Sequence, residues 1–98
     1  MFEIIKSESF ENWLLKLKDR TAVMRIQVRI DRMMGGNLGD AKLVRSGVSE
    51  LRIDHGPGYR VYFIRSGALV IVLLAGGDKS TQDADIVRAI VIAKDWKA

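Results

Sequence analysis

Residues 49 to 64, SELRIDHGPGYRVYFI, read as two alternating strands around a Gly-Pro-Gly turn, yet they carry Glu50, Arg52, Asp54, His55, Arg60 and Tyr62. These are the residue types that handle a phosphodiester. Two guanidiniums bind and neutralise the scissile phosphate, a carboxylate accepts a proton as general base, and flanking cations hold the backbone. Such a site needs no metal.

Alternation with a period of two puts Glu50, Arg52 and Asp54 on one face of the first strand and Leu51 and Ile53 on the other. A three-residue loop at Gly56 to Gly58 would set His55 opposite Tyr59, Arg60 opposite Asp54 and Tyr62 opposite Arg52. This register keeps Leu51 and Ile53 beside Val61 and Phe63 on the buried side. It predicts that Glu50, Arg52, Asp54, Arg60 and Tyr62 share one open polar surface. The alternative is a solvated sheet face whose cross-strand ion pairs contribute ~0.2–1 kcal/mol each. His55, at the lip of the turn, is read either as an exposed turn residue or as a proton-transfer group.

Further cations lie nearby in sequence. Arg25, Arg29 and Arg32 recur at i, i+4 and i+7, a basic stripe on one side of a helix or else a solvated face. Lys42 and Arg45 fall in NLGDAKLVRSG, residues 37 to 47, which reads as a polar, Gly-punctuated loop. AGGDKSTQD, residues 75 to 83, adds Lys79 at a Gly-rich turn leading into a helix, a potential anion site. It lacks the glycine spacing and Gly-Lys-Ser/Thr order of a Walker motif, so a plain strand-to-helix turn stays open.

The rest of the composition narrows the chemistry. The chain has 98 residues, no cysteine and one histidine, which excludes a disulfide framework, a thiolate zinc site and a cysteine nucleophile. No metal or cofactor is expected. Sixteen basic and twelve acidic residues give a net charge of +4 and a pI near 9.7, which favours a polyanionic or acidic partner. The start, MFEIIKSESF, lacks the long apolar run of a signal peptide, and ALVIVLLA at 68 to 75 is too short to span a bilayer. No membrane association and a cytoplasmic location are expected.

The elements that must position these groups are legible in outline. MFEII suits a first strand, and the serines of KSES can cap a helix in which Phe10, Trp13, Leu14 and Leu17 share a face. Asp19 can cap a second helix, with Ala22, Val23, Ile26, Ile30, Met33 and Met34 at helical spacing before Gly35 and Gly36 stop it. Strands are predicted at about 48 to 54, 59 to 65 and 68 to 75, the last covered on both faces. Ser80-x-x-Asp83 can cap a final helix with Ile86, Ala89, Ile90 and Ala93 on one face. The expectation is one α+β domain over residues 1–98 with the order β-α-α-β-β-β-α, a helical hairpin packed on a small, mainly antiparallel sheet.

SELRIDHGPGYRVYFI followed by LVIVLLAGGDKSTQDADIVRAI, with FENWLLKLKDRTAVMRIQVRIDRMMGGNLGDAKLV before them, resembles the RelE/ParE superfamily of toxin-antitoxin toxins. The likeness is to its phage-derived killer-protein, HigB-like branch and covers nearly the whole chain. It implies a compact RelE-like domain neutralised by a cognate antitoxin, often a helix-turn-helix DNA-binding protein. Many relatives are ribosome-dependent endoribonucleases acting on mRNA, whereas the ParE side poisons DNA gyrase. By resemblance, Arg60 of YRVYF matches the basic residue at the scissile phosphate. Glu50 and Arg52 of ELR match the preceding polar strand, with Glu50 as candidate base, and Lys79 takes the approximate place of a second basic residue. Arg25, Arg29, Arg32, Lys42, Arg45 and Tyr62 would bind substrate. The last segment, DADIVRAIVIAKDWKA, departs from the pattern: it has no Tyr or His where some relatives keep their general acid, leaving His55 and Tyr62 as candidates.

Overall fold

The computed structural model describes residues 1–97. Its elements run β1 (Glu3–Lys6), α1 (Glu8–Lys16), α2 (Arg20–Met34), β2 (Ala41–Arg45), β3 (Val48–Ile53), β4 (Tyr59–Ser66), β5 (Val70–Asp78), a single 3-10 turn (Lys79–Thr81) and α3 (Gln82–Lys97). The five strands form one mixed sheet in the order β1-β5-β4-β3-β2. β1 pairs parallel with β5, and the other neighbours pair antiparallel. The protein is an α+β domain, with α1 and α2 on one face of the sheet and α3 on the other.

Local chemistry explains the helix starts. The Ser7 hydroxyl accepts from the Phe10 amide, and the Asp19 carboxylate accepts from the Ala22 amide; each satisfies one of the donors a helix N-terminus leaves unpaired. Ser7 also donates to the Leu74 carbonyl at 2.7 Å, tying the start of α1 to the interior strand β5. Phe10 is buried, and Trp13, Leu14 and Leu17 pack against the same core as Ile26, Ile30, Met33, Leu51, Val61 and Phe63.

The segment expected to be a loop, residues 37 to 47, contains β2. Ser46 and Gly47 both have positive φ, 54° and 81°, as the two-residue hairpin turn that matches strand twist requires. β2 is an edge strand with one partner, and Lys42, Leu43 and Arg45 are all exposed on it, so apolar and polar residues do not alternate along it. The element order is therefore β-α-α-β-β-β-β-α.

β5 also runs further than expected, through Gly76 and Gly77 to Asp78. These glycines are packing residues within a strand. A Cβ on Gly76 would collide with the Trp13 ring, and one on Gly77 with the Asp85 carboxylate. The helix cap shifts accordingly, because Asp78, not Ser80, accepts from the backbone at the start of the 3-10 turn.

Candidate polar cleft at the β3–β4 turn

In the β3–β4 ladder Arg52 lies opposite Arg60, Glu50 opposite Tyr62 and Ile53 opposite Tyr59. The expected register is therefore displaced by two residues. The reason is the connection, which spans residues 54 to 58 instead of three glycine-turn residues, with His55 N–H donating to Ile53 and Gly58 N–H to His55. A shift of two preserves which residues share a face, so Leu51, Ile53, Val61 and Phe63 still point into the core.

The polar face is not open. α3 covers part of it, leaving Glu50 and Tyr62 fully buried. Glu50 Oε1 accepts from Arg60 Nη1 at 3.0 Å, and its Oε2 accepts from Gln82 Nε2 at 3.2 Å. A buried carboxylate with both oxygens engaged is placed to hold Arg60, not to take a proton from a substrate. Tyr62 is no surface contact either. Its hydroxyl has no hydrogen-bond partner among the described residues, and burial first, then the Glu50 charge, pushes its pKa up to about 12.

Beyond the edge of α3 the same face opens into a cleft of about 460 Å³, lined by Arg52, Arg60, Lys79, Asp40, Asp54 and Tyr59 together with the turn glycines and Pro57. Arg60 reaches it with a side chain only 12% exposed, and Arg52 with one 41% exposed that is paired to Asp40 at 3.0 Å. Lys79 lies against the turn, 3.7 Å from where a Cβ on Gly58 would sit. Like charges directly across a ladder destabilise it. Here each guanidinium has its own carboxylate, Asp40 for Arg52 and Glu50 for Arg60.

The other candidate residues lie elsewhere. His55 turns away from the cleft to the start of α2, where Nε2 is 3.1 Å from Asp19 Oδ2. The Ala22 amide, and then His55, hold the Asp19 carboxyl below its ordinary value. Arg29 is a structural residue, donating to the carbonyls of Arg52 at 2.6 Å, Leu38 at 3.3 Å and Asp40 at 3.4 Å. Burial lowers its pKa from the ordinary arginine value. Arg25 and Arg32 rim a separate groove along α2 that meets the cleft at Ile53 and Asp54. Lys42 and Arg45 are exposed on the edge strand, away from the cleft lining.

Sequence reasoning missed two sets of residues. Asp40 and Gln82 come from segments distant in the chain, and no spacing rule links them to the hairpin. Asp85 is buried at the α3 side, accepting from Thr81 Oγ1 at 2.6 Å and pairing with Arg88 at 3.0 Å. Arg88 also donates to the Gly76 carbonyl. The i,i+3 spacing of Asp85 and Arg88 was a visible signal for that pair. Among the described residues no cluster of three His, Cys, Asp or Glu side chains could hold a metal ion, and no helix is long and apolar enough to cross a membrane.

No protein-family model matches the chain. It is 49% identical over 87 residues to an uncharacterized protein of Haemophilus influenzae strain Rd, and the match covers 89% of this chain and 88% of that one. The two belong to one family. The match takes in nearly the full length of each protein.

Proposed function

We propose that the protein binds a phosphodiester in the cleft at the β3–β4 turn and acts as the toxin of a type II toxin-antitoxin module, a ribosome-dependent endoribonuclease that cuts mRNA in the cytoplasm. The observation that carries this reading is the placement of Arg52 directly opposite Arg60, with Lys79 on the same cleft. Three cations gathered at one recess suit an anion whose charge rises during reaction.

In this mechanism the substrate's own 2′-hydroxyl attacks the adjacent phosphorus, the bond to the 5′-oxygen breaks, and a cyclic phosphate and a 5′-hydroxyl result. Arg60 and Lys79 stabilise the charge on the non-bridging oxygens, and Arg52 holds the flanking backbone. Asp54, exposed on the cleft rim, takes the 2′-hydroxyl proton, and water returns one to the leaving oxygen. The imidazole at Asp19 and the buried phenol play no part. Lacking a protein acid, the reaction forgoes up to ~100–10,000-fold in rate, and positioning by the ribosome becomes the main contribution.

The α2 groove suits the antitoxin, expected to be a helix-turn-helix protein. Exposed Met24 and Val28 supply apolar surface between Arg25 and Arg32, a combination that offers both burial and charge complementarity. A second reading, a non-enzymatic inhibitor of DNA gyrase or another protein, draws on the withdrawal of His55 and Tyr62 from the cleft.

Primer extension on an mRNA translated in a cell-free system, with wild type, Arg60→Ala and a no-ribosome control, separates the two. Cuts that need the ribosome and vanish with Arg60→Ala are expected. Blocked synthesis with intact transcripts would replace the nuclease by the inhibitor.

A further inference from the structure

Glu50 has no solvent exposure. Where adhesion alone is needed, a buried ion pair is often matched or bettered by apolar side chains of similar volume, so its retention calls for a reason. The two carboxylate oxygens are divided between two elements: Oε1 meets Arg60 on β4, and Oε2 meets Gln82, the first residue of α3. Tyr62 is the direct cross-strand neighbour of Glu50 and carries a donor hydroxyl of its own. That hydroxyl has no hydrogen-bond partner among the described residues. Arg60 Nε is also buried and has no partner among the described residues. Among the described residues the guanidinium is thus held through Nη1 alone, while the side chain lines the cleft.

A carboxylate fixed through one oxygen still turns about its terminal torsion, which has a broad, roughly two-fold profile. A second hydrogen bond removes that freedom. We propose that Gln82 is a positioning residue for Arg60: by fixing Oε2 of Glu50 it sets the carboxylate plane, and that plane sets how Arg60 presents its remaining donors to a phosphate in the cleft. The inference rests on the phosphodiester reading of that cleft. It makes the first turn of α3 part of the binding site although none of its side chains lines the recess. The seating of that turn, through the Asp78 cap on Ser80 and the Thr81–Asp85 bond, then bears on affinity.

The test is a double-substitution cycle read by fluorescence anisotropy of a short, labelled 2′-O-methyl oligoribonucleotide, which binds but cannot be cleaved. The proteins are wild type, Gln82→Ala, Arg60→Ala and the double variant. Gln82 is half-buried at a helix start, so its truncation leaves the fold in place, as thermal unfolding checks. Loss of one hydrogen bond's worth of ordering predicts a roughly fivefold weaker affinity for Gln82→Ala, and no further loss when Arg60 is already alanine. In a second readout that needs no ligand, the Arg60 Nε–H resonance in a nitrogen-15 spectrum shifts or broadens in Gln82→Ala while that of Arg29 stays put. An equal loss from Gln82→Ala in both backgrounds, or an Arg60 resonance unmoved by it, overturns the positioning role. No loss from Gln82→Ala beside a clear loss from Arg60→Ala overturns the positioning role and leaves the phosphodiester reading standing. Equal binding by wild type and Arg60→Ala overturns that reading and the positioning role with it.

Discussion

Beneath α1 and α2 the sheet presents Leu51, Ile53, Val61, Phe63, Ile71 and Leu73, whereas beneath α3 the same strands present Glu50 and Tyr62 among Val48, Ile64, Val72 and Leu74. The first face is held by volume and apolar area, a non-directional contribution that tolerates rearrangement. The second depends on pairs: Glu50 with Arg60 and Gln82, Asp85 with Thr81 and Arg88. Trimming an apolar side chain on the first face costs the burial it contributed and the cavity it leaves. Trimming either member of the Glu50–Arg60 pair on the second leaves a buried charge behind, and that penalty exceeds the worth of the pair.

The contrast predicts its largest effect at Glu50. Glu50→Ala should lower the unfolding free energy in urea by roughly 3–5 kcal/mol, because Arg60 is then stranded. Replacing both partners, Glu50→Met with Arg60→Met, should recover most of that. Phe10→Ala on the apolar face should cost a similar ~3–5 kcal/mol, with no second truncation beside it that restores stability. Failure of the double methionine variant to recover would mean that the two faces do not differ in kind.

The glycines of β5 sharpen the comparison at a smaller scale. Gly76→Ala and Gly77→Ala should each destabilise by roughly 1–3 kcal/mol through overpacking, one against Trp13 and the other against Asp85. The two should part when the obstacle is trimmed. Trp13→Ala relieves Gly76→Ala at the expense of a cavity, whereas Asp85→Ala relieves Gly77→Ala but leaves Arg88 without its carboxylate. Melting temperatures of the four single and two double variants decide it.

Alkaline titration probes the α3 face through Tyr62. The folded Tyr62 pKa is raised to about 12, above an unfolded tyrosine near 10, so the unfolded chain gives up that proton first. The resulting stability is fully present below about pH 10 and is lost as pH rises toward about 12. A urea midpoint that declines over this interval in wild type and less steeply in Tyr62→Phe is the expected pattern.

The smallest effect is expected from Tyr62→Phe at neutral pH. The hydroxyl is buried with no partner among the described residues, so its removal should change stability by less than ~1 kcal/mol, on the stabilising side. A loss well beyond that in the urea midpoint would show that the hydroxyl is bonded in solution.

How much of this the residues disclosed depends on the range of the interaction. Ser7 and Asp19 were readable as caps because a cap acts over three positions, and Leu51, Ile53, Val61 and Phe63 as core because alternation assigns faces without knowing the partner strand. The displacement by two residues was hidden, since it leaves those faces unchanged and is decided by the conformation of residues 54 to 58. Alternation also put Glu50, Arg52, Arg60 and Tyr62 together, but nothing local said that α3 lies over half of them. The stripe of Arg25, Arg29 and Arg32 divided for the same reason: Arg29 finds three carbonyls on the β2–β3 side, partners that exist only once the sheet has formed. Lys79 was legible as a cation at a helix start, though the glycines before it serve packing.

The pairing of β1 with β5 joins the first strand to the last, and the Ser7 hydroxyl reaches Leu74, 67 positions away. During synthesis, therefore, β1 emerges long before the strand that will receive it, and the hydrophobic face of α1 waits with it. No stretch of chain that ends before β5 can complete the sheet, because β5 lies between β1 and every other strand. The cleft is bounded by Lys79, the residue immediately after β5. Its assembly is thus bound to the closing step of folding, and a nascent or truncated chain carries the arginines without the recess that gathers them.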